Sequence, residues 1–86
     1  MKYYVTGTYP FKSESFRYFL HIELIDYKGY GTPVPAIRRS TKYKNAQGFT
    51  LKEAVDVHNE STRKDPSSAE FITTEEEFDI IRIMES

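Results

Sequence analysis

Residues 16–26 read Phe-Arg-Tyr-Phe-Leu-His-Ile-Glu-Leu-Ile-Asp and form the longest run of β-favouring residues in the chain. Successive side chains of a β-strand point to opposite faces of the sheet, so the even-numbered positions of this run share one face. From residue 16 to residue 24 those positions are all aromatic or aliphatic, whereas the odd face mixes Phe19 and Ile25 with polar residues. The pattern predicts a central strand whose even face belongs to the core.

Three further stretches predict the rest of the sheet. Residues 2–9 alternate in the same way, and residues 70–73 form a short β-favouring run. Residues 34–40 also favour a strand, but Pro33 and Pro35 would each remove a backbone donor from a ladder. We therefore expect residues 34–40 to form an edge strand.

The helices are indicated by capping patterns. Thr50 and Glu53 match a capping box, in which each side chain accepts a hydrogen bond from the other residue's backbone N–H. The box predicts a helix from residue 51 to about residue 62, with a buried stripe formed by Leu51, Ala54, Val55 and His58. Residues 74–84 begin with a second such pattern and carry a helical stripe, although three isoleucines in four positions also favour a strand. We predict a helix there and keep the strand as the alternative.

Together these elements predict a small α+β fold in a single domain, residues 1–86. We expect a mostly antiparallel sheet of three to four strands with two helices, in the order β-β-β-α-β-α. Both helices are expected to pack on one face of the sheet. Seven Tyr and six Phe supply large buried areas for so short a chain.

Composition narrows the class of protein. The absence of cysteine excludes disulfides and thiolate zinc sites and suits a reducing compartment. No apolar run approaches the roughly 20 residues that span a bilayer, so we expect a cytoplasmic protein with no membrane partner. The net charge of −1 hides an asymmetry, since residues 1–48 hold eight Lys or Arg and three acids, whereas residues 49–86 hold four and ten. This asymmetry is consistent with a basic face and an acidic face.

No motif indicates catalysis. The chain lacks Gly-x-Ser-x-Gly, a P-loop and Gly-x-Gly-x-x-Gly. His21 and Glu23 share a strand face, but a solvent-facing pair explains them as well as a metal or acid–base site does. We therefore expect no enzymatic activity, no cofactor and no bound metal.

Binding to another protein is the main functional expectation. A short chain with a sheet edge and many tyrosines suits an adaptor or inhibitor, of the accessory type found in phages and mobile elements. Large aromatic and apolar side chains are typical interface anchors. The candidates are Tyr4, Phe19, Ile25, Tyr27 and Tyr30. A homodimer formed through the edge strand is a further expectation.

The alternative is a nucleic-acid-binding module. Residues 38–44 are basic and contain a tyrosine; lysine and arginine neutralise phosphates, and tyrosine stacks on bases. The candidate contacts are Arg38, Arg39, Lys42, Tyr43 and Lys44. Residues 16–60 combine strands, a basic segment and a helix that begins after Gly48-Phe49-Thr50. This order resembles the arm-type DNA-binding domains of tyrosine recombinases, which have a three-stranded sheet followed by one helix. The two prolines of the third strand and the acidic C-terminal third depart from that pattern.

Overall fold

The computed structural model describes residues 1–11, 14–29, 31–67 and 69–85, without the side chains of residues 9–16 and 85. The predicted order β-β-β-α-β-α is confirmed, with a short 3-10 helix, Tyr43–Asn45, between the third strand and the first helix. The elements are β1 (Tyr3–Phe11), β2 (Glu14–Ile25), β3 (Val34–Ser40), α1 (Leu51–Lys64), β4 (Glu70–Thr74) and α2 (Glu75–Glu85).

In the described part of the chain, the four strands form one sheet in the order β3-β2-β1-β4, and all neighbouring pairs are antiparallel. β3 is therefore an edge strand, as Pro35 within it predicts. The alternative of a strand over residues 74–84 is wrong, because α2 begins directly after β4. The Thr74 hydroxyl accepts a hydrogen bond from the Glu77 N–H at 3.3 Å, so the second capping pattern supports this helix.

Residues 47–49 are wedged between the N-terminal end of β1 and the later part of β2. Tyr3 and Phe49 exchange two backbone hydrogen bonds of 2.8 Å. Beside them, Oε1 of Gln47 accepts a hydrogen bond from the backbone N–H of Ile22 at 2.8 Å. The wedge holds the chain against the sheet immediately before α1 begins.

α1 starts at the predicted capping box. The Thr50 hydroxyl accepts from the Glu53 N–H at 3.2 Å, and Oε1 of Glu53 accepts from the Thr50 N–H at 2.9 Å. The predicted buried stripe is partly wrong, since Leu51 and Val55 are exposed. Phe49 is a buried core residue just before the cap. The buried residues of α1 are Ala54, Val57 and Ser61.

The two helices lie on opposite faces of the sheet, so the expectation that both pack on one face is wrong. α1 covers the face that carries the even positions of β2, here called the α1 face. Its core consists of Val5, Tyr18, Leu20, Phe49, Ala54 and Val57. α2 covers the other face, here called the α2 face, where the Phe78 ring stacks on Tyr4 at 3.9 Å and meets Phe19 edge-on at 5.4 Å between centroids.

The α1 face is covered over only part of β2. Tyr18 and Leu20 are buried, whereas Ile22 is 37% exposed and Leu24 is 71% exposed. The expectation that the whole even face of this strand belongs to the core is therefore wrong near its end, where no described element covers it.

Candidate functional site: a groove beside the edge strand

The residues predicted as protein-binding anchors do not form one surface. Phe19 is 1% exposed, and Tyr4 is half-buried in the same aromatic stack. Both belong to the core of the α2 face, because α2 covers them. Ile25 is half-buried at the end of β2, and Tyr27 is exposed in the turn that follows. Tyr30 lies outside the described residues.

The predicted nucleic-acid contacts are also divided. Arg38 lies on the α2 face, whereas Arg39 lies on the α1 face over the ring of Tyr18. Tyr43 is half-buried, with its ring 4.9 Å from that of a core residue of the α2 face. Lys42 and Lys44 are exposed beside it. The five candidates therefore do not share one surface.

His21 and Glu23 lie together on the α2 face. Nε2 of His21 is 2.9 Å from Oε1 of Glu23, and Nε of Arg38 is 3.8 Å from the other carboxylate oxygen. Among the residues that the structure describes, no three His, Cys, Asp or Glu side chains come together as metal ligands. The His21 side chain is mostly buried, whereas Glu23 and Arg38 are about half exposed, so the arrangement is a partly buried hydrogen bond with a neighbouring surface ion pair.

A groove runs along the α1 face between β3 and the C-terminal half of α1. It has a larger chamber of about 280 Å³ and a smaller one of about 210 Å³. The larger chamber is lined by Ile22, Pro35, Ala36, Ile37, Glu60 and Lys64. The smaller chamber is lined by Ile37, Arg39, Ser61, Lys64 and Asp65. Because Ile37 and Lys64 line both, the chambers follow one another along β3.

The backbone of β3 beside this groove points outward at alternate residues. In an antiparallel ladder, two opposed residues either exchange both backbone hydrogen bonds or direct their N–H and C=O groups away from each other. Ile22 is opposed to Ile37, but its N–H is bonded to Gln47, on the side of β1. The N–H and C=O of Ile37 therefore point away from β2, at the outer edge of the sheet. The same alternation puts the nitrogen of Pro35 at that edge, where its missing N–H costs no ladder hydrogen bond.

Most charged residues at the rim of the groove are already paired. Oε2 of Glu60 accepts a hydrogen bond from Nε of Arg63 at 3.1 Å, and the interaction lowers the pKa of the Glu60 carboxyl. Oδ1 of Asp65 accepts from the Ser67 hydroxyl at 2.6 Å, and this bond is the main cause of the lowered pKa of Asp65. Lys64, in contrast, forms no contact ion pair within the described ranges, although its charge is a smaller cause of the lowered pKa of Glu60.

A buried carboxylate lies close to Arg39, one of the residues that line the smaller chamber. The Glu70 side chain is fully buried, and its Oε2 accepts a hydrogen bond from the Tyr18 hydroxyl at 2.8 Å. Nη2 of Arg39 lies 3.5 Å from that oxygen and 3.5 Å from Oδ2 of Asp65. Oε1 of Glu70 has no hydrogen-bond partner among the described residues. The network holds the Arg39 side chain against the end of α1 and so shapes the wall of the groove.

Sequence reasoning missed both the groove and this network. Glu70 is predicted only as the first residue of a short strand. Gly7 is opposed to Tyr18, and a Cβ at Gly7 would lie 2.5 Å from the Tyr18 hydroxyl oxygen. In the sequence, the network is indicated only by a glycine that lies opposite a tyrosine on neighbouring strands. That pairing can be recognised only when the register of β1 and β2 is known.

No family model, curated protein or solved structure matches the chain. In the described residues, neither helix has the length and apolar character needed to cross a membrane.

Proposed function

We propose that this protein is a non-catalytic binding protein that takes up an extended segment of a partner protein in the groove. The segment pairs with the outer edge of β3 as an additional strand and places alternate side chains in the two chambers. In this mode of recognition, main-chain hydrogen bonds supply affinity and the side-chain pockets supply specificity.

The strongest support for this proposal is that the backbone of β3 points outward beside apolar side chains that no described element fully covers. Ile37 directs its N–H and C=O away from the sheet, while its side chain lines both chambers. Ile22 and Leu24 leave further apolar surface exposed on the same face of the hairpin. Edge strands usually carry charges or prolines that discourage pairing. β3 carries Pro35, Arg38 and Arg39. Pro35 removes only one outward donor, and Arg39 is already held close to Asp65 and Glu70.

The opposite edge of the sheet differs. At β4, Nε2 of His58 donates a hydrogen bond to the Glu70 carbonyl oxygen at 2.8 Å. Glu70 is opposed to Gly7, and the alternation of the ladder puts its carbonyl on the outer side of β4. The His58 ring therefore occupies part of that edge, which favours β3 as the strand that accepts a partner.

The contacts available predict a modest affinity. Burial of one large apolar side chain contributes about 1.5–3 kcal/mol, and each backbone hydrogen bond contributes about 0.5–1.5 kcal/mol. Two side chains and three hydrogen bonds therefore give roughly 5–10 kcal/mol. Ordering the segment costs about 2–5 kcal/mol of that sum. A Kd no tighter than about micromolar is expected.

Selection from a displayed library of random dodecapeptides tests the proposal. Peptides that bind the wild-type protein are expected to lose binding to Ile22→Asp, which puts a charge in the larger chamber. Ile83→Asp is the matched control, since Ile83 is 70% exposed on α2, on the other side of the sheet. Circular dichroism establishes that both variants are folded. The proposal is wrong if no peptide is selected, or if the selected peptides bind both variants equally.

We propose a cytoplasmic location, because a chain without cysteine suits reducing conditions. Tyr27 stays a prediction as a contact residue. It follows β2 in the turn of the same hairpin, so Tyr27→Ala in the peptide-binding assay measures whether the interface extends that far.

A further inference from the structure

The two chambers of the groove are spaced to receive alternate side chains of one strand. The larger chamber contacts β3 at Pro35 and Ile37, and the smaller chamber contacts it at Ile37 and Arg39. The step between the chambers is thus two residues of β3, about 6.6 Å, which is also the spacing of same-face side chains in an added strand. Two residues of the segment that are separated by a single residue therefore enter successive chambers.

The chambers differ in the charged residues that line them, although most of the wall surface of both is apolar. The larger one is lined by three apolar side chains of the α1 face, Ile22, Pro35 and Ile37. The smaller one shares Ile37 and is otherwise lined by Arg39, Ser61, Lys64 and Asp65. A large apolar side chain therefore suits the larger chamber, and a side chain with an apolar stem and a charged end suits the smaller one.

Some of the charged side chains around the groove already contact a group of opposite charge, and one does not. Asp65 lies 3.5 Å from Arg39, and Glu60 is hydrogen-bonded to Arg63. Lys64 lines both chambers and has no ion pair within the described part of the chain. An incoming carboxylate meets an ammonium group that has no ion-pair contact, whereas an incoming cation meets carboxylates that already contact other groups.

We infer that the bound segment carries a large apolar side chain in the larger chamber and, two residues from it, an acidic side chain opposite Lys64. This inference rests on the proposed function and adds the chemical class of the segment. An exposed ion pair of this kind sets specificity more than affinity, and salt screens it.

The test compares the sequences that the wild type, Lys64→Glu and Lys52→Glu select from one library of random dodecapeptides. Lys52 is exposed near the start of α1, so its reversal makes the same change in net charge away from the groove. The wild type and Lys52→Glu are expected to enrich Asp or Glu two positions from a large apolar residue. Lys64→Glu is expected to enrich Lys or Arg at that position instead.

Fluorescence anisotropy then measures the effect of the charge for one peptide selected by the wild type. Replacing its acidic residue with the corresponding amide is expected to weaken binding to the wild type roughly 1.5–5-fold, as for an exposed ion pair. The same replacement is expected not to weaken binding to Lys64→Glu.

The outcomes separate this inference from the proposed function. Selection of apolar patterns without an acidic preference, or with the same acidic preference in Lys64→Glu, overturns the inference and leaves the proposed function standing. Failure to select any peptide whose binding depends on Ile22 overturns both. A dimer that forms at the assay concentration and excludes the peptides, detected by light scattering, assigns the edge of β3 to a second copy of the chain and also overturns the inference.

Discussion

Replacement of Phe78 by alanine tests the aromatic core beneath α2. The Phe78 ring is 6% exposed, stacks on Tyr4 with the ring planes 9° apart, and meets Phe19 edge-on. Truncation of a buried Phe to Ala costs about 3–5 kcal/mol, and the loss of two ring pairs favours the upper half of that range. The total stability of a domain of this size is roughly 4–13 kcal/mol. Phe78→Ala is therefore expected to remove a large fraction of it.

Urea unfolding followed by far-ultraviolet circular dichroism measures this change in the free energy of unfolding. Ile83→Ala is the matched control, because Ile83 lies on the same helix but is largely exposed. The control is expected to change the free energy of unfolding by less than about 0.5 kcal/mol. If Phe78→Ala lowers the free energy of unfolding no more than the control does, α2 does not pack on the sheet as described. The conclusion that the two helices cover opposite faces of the sheet would then also be wrong.

Three further predictions concern single side chains. Thr50→Ala is expected to lower the free energy of unfolding by about 0.5–2 kcal/mol. The pKa of Glu53 is held below its usual value mainly by the Thr50 backbone N–H and to a smaller extent by the Thr50 side chain, so an NMR titration of Thr50→Ala should show it moving only part of the way back upward. Tyr18→Phe removes the hydroxyl that donates to the buried Glu70 carboxylate, and urea unfolding is expected to show a loss of about 1–3 kcal/mol. The pKa of the Tyr4 phenol is expected above its usual value, because the ring is buried beneath α2 and faces acidic side chains of that helix. Because folding raises this pKa, the contribution of the Tyr4 phenol to the free energy of unfolding is present below the pKa of the unfolded chain and is lost as pH rises through the pKa of the folded protein. An ultraviolet titration of the phenol, with unfolding measured in parallel at each pH, checks this expectation.

Local patterns predict the order of the elements and the type of all but the last, for which a strand over residues 74–84 is the alternative to a helix. Alternation over residues 16–24 defines β2, and the capping box that begins at Thr50 defines the start of α1. Pro35 predicts that β3 lies at an edge, because proline lacks the N–H that an interior strand needs. Each of these inferences depends on residues within one strand or one helical turn.

The two covered faces and the groove depend instead on tertiary placement, which no local pattern specifies. Phe19 lies on a partly polar strand face and becomes a core residue only because α2 folds back over it. Leu24 continues an apolar alternation, yet no described element covers the end of β2. Glu70 meets Tyr18 only through the registers of β1 with β2 and with β4.

Amide hydrogen exchange, followed residue by residue by NMR, tests most directly whether β3 accepts an additional strand. The Ile37 amide points outward in the free protein and is expected to exchange fast, whereas the amides of Ala36 and Arg38 point toward β2 and are expected to exchange slowly. When a selected peptide saturates the protein, the Ile37 amide is expected to become protected while the other two stay as they were. An Ile37 amide that is protected in the free protein, or unprotected in the complex, would contradict the proposed mode of binding.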